Sequence, residues 1–271
     1  MKTLYLSDLD GTLLNSNQRI SKFSDDVINA VTDCGGLFSF ATARSEESAR
    51  PLVAGFRISA PPILYNGAVI GYAHGNPPPV CLHFEDDVSH LIRELIDGGV
   101  YPIVYSFIGG EEKFSFLRGK CNADTARFLK TREHCKRYNP VDSFHELTRG
   151  EIFYITCIDS EKKLRPFNDK YHKVHYCVYQ KDVYTGCQWL EIMPKNSTKA
   201  NAALALKKRL GCDELVVFGD NKNDIELFGV ADRRYAVKNA VPELKQIATA
   251  IIESNDDDGV ARFLKKEFNL G

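Results

Sequence analysis

Two carboxylates separated by a single residue directly follow a short apolar run near the start of the chain. Asp8 and Asp10 come after Leu4-Tyr5-Leu6-Ser7, and Gly11 and Thr12 complete the segment. Two negative charges this close repel each other unless a cation lies between them. Mg²⁺ typically takes one or two carboxylates and keeps water and phosphate oxygens as its other ligands. A polar turn after an edge strand is the alternative, and the following Gly-Thr favours a metal and phosphate site over it.

Three further residues with groups that suit phosphate chemistry follow or begin predicted elements. Thr42 follows the apolar run 37–41 and offers a hydroxyl and a backbone N–H, which we place at a helix N-terminus, where anions bind. Lys199 begins a predicted helix, and its ammonium group could neutralise a phosphate and an attacking carboxylate together. Asp220 ends the apolar run 215–219. Taken singly, these residues also fit a helix cap, a surface lysine and a polar turn, so their coincidence is the main argument for one phosphate site.

The elements that must position these residues alternate between strand and helix at both ends of the chain. Apolar runs at 4–7, 37–41 and 215–219 predict buried strands, and the spacing of apolar residues predicts helices over 21–31 and 198–210. Strands that alternate with helices of this length are typical of parallel βαβ units, in which ligands bind at the carboxyl ends of the strands. We therefore predict an α/β fold with a Rossmann-like, doubly wound parallel sheet.

A hairpin is predicted as an appendage of this sheet. The dipeptide Asn66-Gly67 lies between the apolar segments 63–65 and 68–70. Asn-Gly strongly favours a two-residue turn between antiparallel strands. The pattern therefore predicts a short antiparallel pair after the second parallel strand.

A second domain is predicted inside the chain. The segment Gly75-Asn76-Pro77-Pro78-Pro79 is incompatible with a helix or a central strand and indicates a stiff connection. Strand candidates at 101–107, 152–158 and 174–179 follow, with helical patterns between them, which suits an α+β module. The core pattern resumes with the apolar run 189–193. The prediction is a core domain of residues 1–81 and 189–271 and an inserted α+β cap of residues 82–188.

Composition excludes several classes of function. The 271 residues contain 35 basic and 36 acidic side chains, a net charge of −1, so no global field attracts nucleic acid or an anionic membrane. Eight cysteines are scattered without a Cys-x-x-Cys pair, which argues against zinc and against a disulfide framework. We find no signal peptide and no apolar segment of about 18 residues. We expect a cytoplasmic protein with free thiols, and the sequence leaves its oligomeric state open.

The motifs, taken in order, resemble those of a known superfamily. The segments Asp8-Leu9-Asp10-Gly11-Thr12, Thr42-Ala43-Arg44, the region of Lys199 and Gly219–Asp224 are similar to the four motifs of the haloacid dehalogenase superfamily. The similarity is closer to the Cof-like hydrolases, which carry the larger type of inserted cap. Lesser similarities occur at 66–68, 238–240 and 257–260, and together they cover both halves of the predicted core.

This resemblance implies a role for each residue. Asp8 would be the nucleophile that forms an aspartyl-phosphate, and Asp10 would be the general acid and base. The implied Mg²⁺ ligands are Asp8, Asp10 through its backbone carbonyl, and Asp220, with Asn221 and Asp224 in or just outside the metal shell. The implied phosphate contacts are Leu9, Thr42, Ala43, Lys199 and Asn223, and the candidates for further substrate contacts are Arg44 and Asn66.

The chain also departs from the pattern of the superfamily. Ala43 stands where the second motif usually has glycine, and Asn196 and Ala200 stand where the third usually has glycines. Alanine tolerates a positive φ less well than glycine does. No reacting group is lost, so we expect these departures to affect loop geometry and substrate fit.

The resulting hypothesis is a Mg²⁺-dependent phosphatase that hydrolyses phosphate monoesters of small metabolites, either sugar phosphates or phosphorylated cofactors. The inserted cap would exclude water and select the substrate. Two alternatives stay open on the sequence alone. A phosphomutase of the same superfamily would return the phosphate to a bound sugar, and a non-catalytic protein would bind a metabolite without turnover.

Overall fold

The computed structural model of the chain describes residues 1–73, 79–182 and 185–271, so the predicted linker lies outside the described residues except for Pro79. Within these residues the strands, in chain order, are β1 (Thr3–Ser7), β2 (Leu37–Phe40), β3 (Ile63–Leu64), β4 (Val69–Ile70), β5 (Val80–Cys81), β6 (Ile103–Ile108), β7 (Glu111–Leu117), β8 (Tyr138–Val141), β9 (Glu151–Ile158), β10 (Tyr176–Lys181), β11 (Gln188–Met193), β12 (Glu214–Gly219), β13 (Arg233–Val237) and β14 (Ala250–Ile252). The α-helices are α1 (Lys22–Asp33), α2 (Glu46–Ala49), α3 (Ser89–Asp97), α4 (Ala123–Lys130), α5 (Phe144–Leu147), α6 (Glu161–Tyr171), α7 (Lys199–Leu210), α8 (Ile225–Val230), α9 (Pro242–Ile247) and α10 (Gly259–Glu267).

The chain forms two compact units. The first contains Met1–Cys81 and Ser197–Gly271, and the second contains Leu82–Asn196. We call them the core unit and the cap unit.

The core unit is built on a five-stranded sheet in the order β14-β13-β12-β1-β2, and all its strands are parallel. Strand β1 lies between β12 and β2, and its residues Leu4 and Leu6 are completely buried. Leu215 to Phe218 on β12 are also completely buried. Strands covered on both faces have continuous apolar sequences, which is why these strands were recognisable. The Rossmann-like parallel sheet predicted from the sequence is confirmed.

Helices α1 and α7 of the core unit begin at residues whose side chains cap the helix. The Ser21 side chain accepts a hydrogen bond from the Ser24 N–H at the start of α1, and Thr198 accepts one from the Asn201 N–H at the start of α7. Helix α7 ends at Gly211, which has a φ of 62°. Helix α2 is a single turn, Glu46–Ala49, and the Ser45 side chain accepts a hydrogen bond from the Ser48 N–H at its start. No helix in the described residues combines the length and apolar character needed to span a membrane.

The predicted hairpin forms, with a longer loop. Strands β3 and β4 pair antiparallel, with Leu64 opposite Val69. The loop between them therefore has four residues, where the sequence predicted two. Tyr65, Asn66 and Gly67 all have positive φ values, of 50°, 52° and 106°. A two-residue hairpin turn has at most two residues with positive φ. The third such residue is therefore consistent with a loop longer than two residues.

The cap unit contains a six-stranded sheet in the order β10-β11-β9-β6-β7-β8. Its strand pairs are antiparallel except for β7 and β8. Leu91, Ile92 and Leu95 of α3 and Leu164 of α6 form one apolar cluster with sheet residues such as Ile155. The unit is of mixed α and β structure, as predicted.

One strand was assigned to the wrong unit. The sequence placed Trp189–Met193 in the core, but β11 pairs with β10 on one side and with β9 on the other, with Leu190 opposite both Tyr179 and Cys157. The cap unit extends to Asn196. An apolar run predicts a buried strand without indicating its sheet, so the predicted boundary after residue 188 fell before the last cap strand.

Candidate active site

Two acidic residues emerge side by side from the central strands of the core sheet. Asp8 follows β1 directly, and Asp220 follows β12. These strands are parallel neighbours with Ser7 opposite Phe218, and the Asp8 N–H donates to the Phe218 carbonyl at 2.9 Å. Asp8 and Asp220 are 5% and 8% exposed. Both carboxylates therefore lie at the carboxyl edge of the sheet, where open parallel sheets bind ligands.

Lys199 is the first residue of α7 and is completely enclosed. Its Nζ donates to Asp8 Oδ1 at 2.6 Å and to Asp224 Oδ1 at 2.8 Å. The side chain is 1% exposed, which excludes the alternative of a solvated surface lysine. Burial opposes the charged form, but Asp224 and Asp8 outweigh it and raise the pKa of Lys199 above its usual value. The site therefore contains a permanent buried positive charge.

Three carboxylates surround this charge. Ligand-forming oxygens of Asp8, Asp220 and Asp224 all lie within 4.8 Å of one another. Burial and then the neighbouring carboxylates raise the pKa of Asp8 well above its usual range, against the opposing effect of Lys199. Burial and Asp224 raise the pKa of Asp220 to about 7. Three acids facing one ammonium group have an excess of negative charge, and an all-oxygen donor set with that charge fits Mg²⁺.

Asp224 holds the loop and Lys199 in place. Its Oδ2 accepts hydrogen bonds from the N–H groups of Asp220 at 3.1 Å and Asn221 at 3.3 Å, while Oδ1 accepts from Lys199. A Cβ on Gly219 would lie 2.8 Å from Asp224 Oδ2, so glycine is required for this approach. Because both oxygens of Asp224 already accept hydrogen bonds, Asp8 and Asp220 are the better candidates for direct contact with an ion.

The segment after Asp10 packs closely against Asp220. Thr12 Oγ1 donates to Asp220 Oδ1 at 3.1 Å. Gly11 has a φ of 82°, and a Cβ there would lie 2.5 Å from Asp220 Oδ2. Glycine and threonine at these positions therefore determine where the Asp220 carboxylate lies.

Asp10 pairs with Arg44 and lies outside the three-acid cluster. Arg44 Nε donates to Asp10 Oδ2 at 2.8 Å, and Nη2 donates to Oδ1 at 2.6 Å. This two-pronged contact fixes the plane of the carboxylate. The sequence suggested Arg44 only as a substrate contact and did not predict its pairing with Asp10. The suggested contact of the Asp10 carbonyl with a metal ion stays a prediction.

Thr42 is buried, with its hydroxyl accepting from the Arg44 N–H at 3.1 Å. The expectation that its N–H stands at a helix N-terminus is wrong, because that N–H donates to the Ile63 carbonyl and α2 begins only after Ser45. The backbone N–H groups of Leu9 and Ala43 have no hydrogen-bond partner among the described residues. Both groups are therefore available to an anion.

Asn66 and Asn223 come together from distant parts of the chain. Asn223 Nδ2 donates to Asn66 Oδ1 at 3.4 Å, and the Asn66 N–H donates to the Thr42 carbonyl. A Cβ on Gly67 would lie 2.2 Å from the Thr198 carbonyl oxygen, so the hairpin loop abuts the start of α7. The loop thus joins the segments that carry Thr42, Lys199 and Asn223. Asn221 caps its own turn, accepting from the Lys222 N–H.

Sequence reasoning missed Gln18, and it gave no role to Asn239, which lies in the segment 238–240 that resembles the family. Gln18 Oε1 accepts from Arg44 Nη2 at 3.4 Å, and no motif included Gln18. Asn239 donates through Nδ2 to the Gly11 carbonyl at 2.7 Å. Asn239 follows β13 at the same edge of the sheet, so its position after a parallel strand could have indicated it.

Comparisons with known proteins identify the family and support the fold. A family model described as haloacid dehalogenase-like hydrolase matches residues 5–264. Two relatives from Bacillus subtilis (strain 168) are each named a 5-amino-6-(5-phospho-D-ribitylamino)uracil phosphatase. One is 27% identical and covers 95% of each chain; the other is 24% identical and covers 97% of this chain and 96% of its own. A solved haloacid dehalogenase-like hydrolase from Bacteroides thetaiotaomicron superposes with a TM-score of 0.79 at 20% identity, over 99% of this chain and 100% of that chain.

Proposed function

This chain belongs to the family of haloacid dehalogenase-like hydrolases, and from this we infer that it is a phosphoric monoester hydrolase acting on a phosphorylated small molecule. The observation that carries the proposal is the contact of Lys199 Nζ with both Asp8 and Asp224. It places a fixed ammonium group beside a carboxylate at the edge of a parallel sheet. A phosphate group that enters there meets a nucleophile and a positive charge together.

We further propose that the enzyme depends on Mg²⁺. Asp8 and Asp220 would hold the ion through their carboxylates, and the Asp10 carbonyl is the third proposed ligand from the chain. The excess negative charge of the three buried acids supports this. When bound, the ion would offset the charge of the phosphate oxygens.

Asp8 is the proposed nucleophile. Lys199 fixes its Oδ1, while Oδ2 has no hydrogen bond among the described residues. A new bond would form between an Asp8 carboxylate oxygen and phosphorus as the bond from phosphorus to the alcohol oxygen breaks. Lys199 and the N–H groups of Leu9 and Ala43 would bind the phosphate oxygens as their charge shifts.

The proposed phosphate contacts also include the Thr42 hydroxyl and the Asn223 side-chain amide. Both belong to the segments that the hairpin loop around Asn66 joins. The hydrogen bonds of Asn66 with both segments support contact of the two groups with the same phosphate.

Asp10 is the proposed general acid and base. It would donate a proton to the departing alcohol oxygen and then take a proton from the water that hydrolyses the aspartyl-phosphate. Arg44 fixes the orientation of this carboxylate. The geometry supports a role for Arg44 in holding Asp10.

The two relatives named for 5-amino-6-(5-phospho-D-ribitylamino)uracil make this compound the first substrate to test. Hexose phosphates and phosphorylated cofactors are the other candidates from the sequence. The cap unit would select among them.

The test is a panel of these phosphate esters with p-nitrophenyl phosphate, assayed with Mg²⁺ for release of inorganic phosphate. The matched control is Asp8→Asn, which keeps the size of the side chain. We expect release by the wild type and none by the control. A folded wild type that binds Mg²⁺ but hydrolyses no ester would contradict the proposal and favour a phosphomutase or a binding protein.

A further inference from the structure

We propose that Gln18 is a positioning residue that acts on Asp10 through Arg44. This inference rests on the phosphatase function proposed above. It assigns a role to a residue that no motif of the family resemblance included.

The contact is made by one nitrogen of the Arg44 guanidinium group. Nη2 donates to Asp10 Oδ1 at 2.6 Å and to Gln18 Oε1 at 3.4 Å. A guanidinium group is planar, and its donors point in fixed directions. A second acceptor on the same nitrogen therefore restricts the rotation of the guanidinium plane that binds the Asp10 carboxylate.

Gln18 lies in a turn that is closed on itself. The Gln18 N–H donates to the Asn15 carbonyl at 2.8 Å, and the Asn15 N–H donates to the Arg19 carbonyl at 2.9 Å. The Asn15 side chain accepts from the N–H groups of Asn17 and Arg19. Gln18 itself has a φ of 56°, a conformation that is uncommon for residues other than glycine. Strained residues of this kind cluster where function requires a particular side-chain direction.

The Asp10–Arg44 pair needs such support more than the other ion pair of the site does. Its side chains are 25% and 21% exposed, whereas those of Asp8 and Lys199 are 7% and 1% exposed. Packing fixes a buried pair, but a partly exposed pair must hold two long side chains in one geometry against their entropy. The contact with Gln18, which comes from a hydrogen-bonded turn, reduces the motion of Arg44 and hence that of Asp10.

The test separates general-acid catalysis from the rest of the reaction. An alkyl phosphate needs a proton on its leaving oxygen, whereas p-nitrophenolate leaves without one. Gln18→Met removes the acceptor at similar length, and Gln18→Glu retains it. Asn17→Met is the matched control, since Asn17 is exposed in the same turn.

For Gln18→Met we expect the rate of the first step, measured as release of the leaving alcohol in a single turnover, to fall about tenfold on the alkyl phosphate and less than about twofold on p-nitrophenyl phosphate. The second step, hydrolysis of the aspartyl-phosphate, is the same for both esters and is therefore kept out of this comparison. Gln18→Glu should retain most of the wild-type rate of the first step, and Asn17→Met all of it. If Gln18→Met does not fold, Gln18→Asn serves instead, because asparagine tolerates a positive φ and is too short for the contact.

A double-mutant cycle tests whether Gln18 acts through Arg44. In an Arg44→Lys background, removal of the Gln18 acceptor should cause no further loss, whereas additive losses would overturn the inference. Equal losses in the rate of this first step on both esters, or no loss on either, would also overturn it. A wild type that hydrolyses neither ester would instead refute the proposed phosphatase function and this inference with it, so the two failures are distinguishable.

Discussion

The core and cap units both bury acidic side chains, but they satisfy them differently. In the core, Asp8, Asp220 and Asp224 converge on Lys199 just beyond strand ends. In the cap, Glu191 is 5% exposed in the middle of β11, and its Oε1 accepts a hydrogen bond from the Tyr154 hydroxyl at 2.5 Å.

This difference indicates that the acids of the core cluster serve the reaction, whereas the buried acid of the cap serves the stability of the fold. Three carboxylates beside one ammonium group leave an excess of negative charge. A cation can offset it, whether the cation binds alone or together with a phosphate group. In the cap, the Glu191 carboxylate lies within a strand and accepts a hydrogen bond from a phenol. We therefore expect substitutions in the core cluster to abolish turnover and those at the cap acid to affect chiefly stability.

Removal of the buried ammonium group should have the largest effect. Lys199→Met leaves Asp8 and Asp224 buried without their counter-charge, so we expect a loss of about 3–5 kcal/mol in the free energy of unfolding. Phosphate release should fall by at least about 10³-fold, since both the nucleophile and the phosphate lose their fixed charge. Urea unfolding and the phosphate assay measure the two effects.

Lys195→Met is the matched control for this substitution. Lys195 is exposed and four residues away from Lys199. It should retain wild-type stability within about 0.5 kcal/mol. If Lys199→Met were as stable and as active as Lys195→Met, the core cluster would not be essential for turnover, and the proposed difference between the core and cap acids would be wrong.

A pair of glycine substitutions should give the next largest effect. Gly11 and Gly211 both have a positive φ, but only a Cβ on Gly11 would collide, at 2.5 Å from Asp220 Oδ2. Gly211→Ala should cost about 1–2 kcal/mol of stability from backbone strain alone and leave activity intact. Gly11→Ala should cost more and also lower activity, because the Asp220 carboxylate must move. Equal activities of the two variants would show that the position of Asp220 is unimportant.

Addition of Mg²⁺ should stabilise the core unit. An ion that binds only the folded protein stabilises it by about 2.7 kcal/mol at 100 times its Kd. We expect Tm to rise with Mg²⁺ concentration in the wild type and to change little in Asp220→Asn. An equal rise in both proteins would argue against Asp220 as a ligand.

The cap acid should give the smallest effect. Glu191→Gln keeps the size of the side chain and can still accept from Tyr154, so we expect a loss of about 1 kcal/mol in stability. Hydrolysis of p-nitrophenyl phosphate should change less than about twofold. A loss of turnover as large as that of Lys199→Met would mean that the cap acid takes part in the chemistry.

The sequence predicted strands β1 and β12 and the acids that follow them, because an apolar run that stops at a carboxylate indicates both the strand and the acid. It could not predict which partner each group takes. The contact of Lys199 with Asp224 joins residues 25 positions apart through tertiary structure alone. Arg44 was recognised as a motif residue, but its pairing with Asp10 spans 34 positions.

The cap was harder to predict for a different reason. Strand β7 begins with charged residues, and β8 contains a proline, so neither has the alternation of a typical strand. Strand β11 has that apolar character, but nothing in its sequence identifies its neighbours. Sheet membership is determined by long-range pairing, which the local pattern does not record.

The most direct test of the central claim is to look for the covalent intermediate on Asp8. The wild type is mixed with a hydrolysed ester and Mg²⁺, quenched in acid within milliseconds, and digested for peptide mass spectrometry. We predict a phosphoryl group on the peptide that contains Asp8, localised to that residue and absent from Asp8→Asn. Turnover by a wild type that never carries phosphate on Asp8, or turnover by Asp8→Asn, would contradict the account.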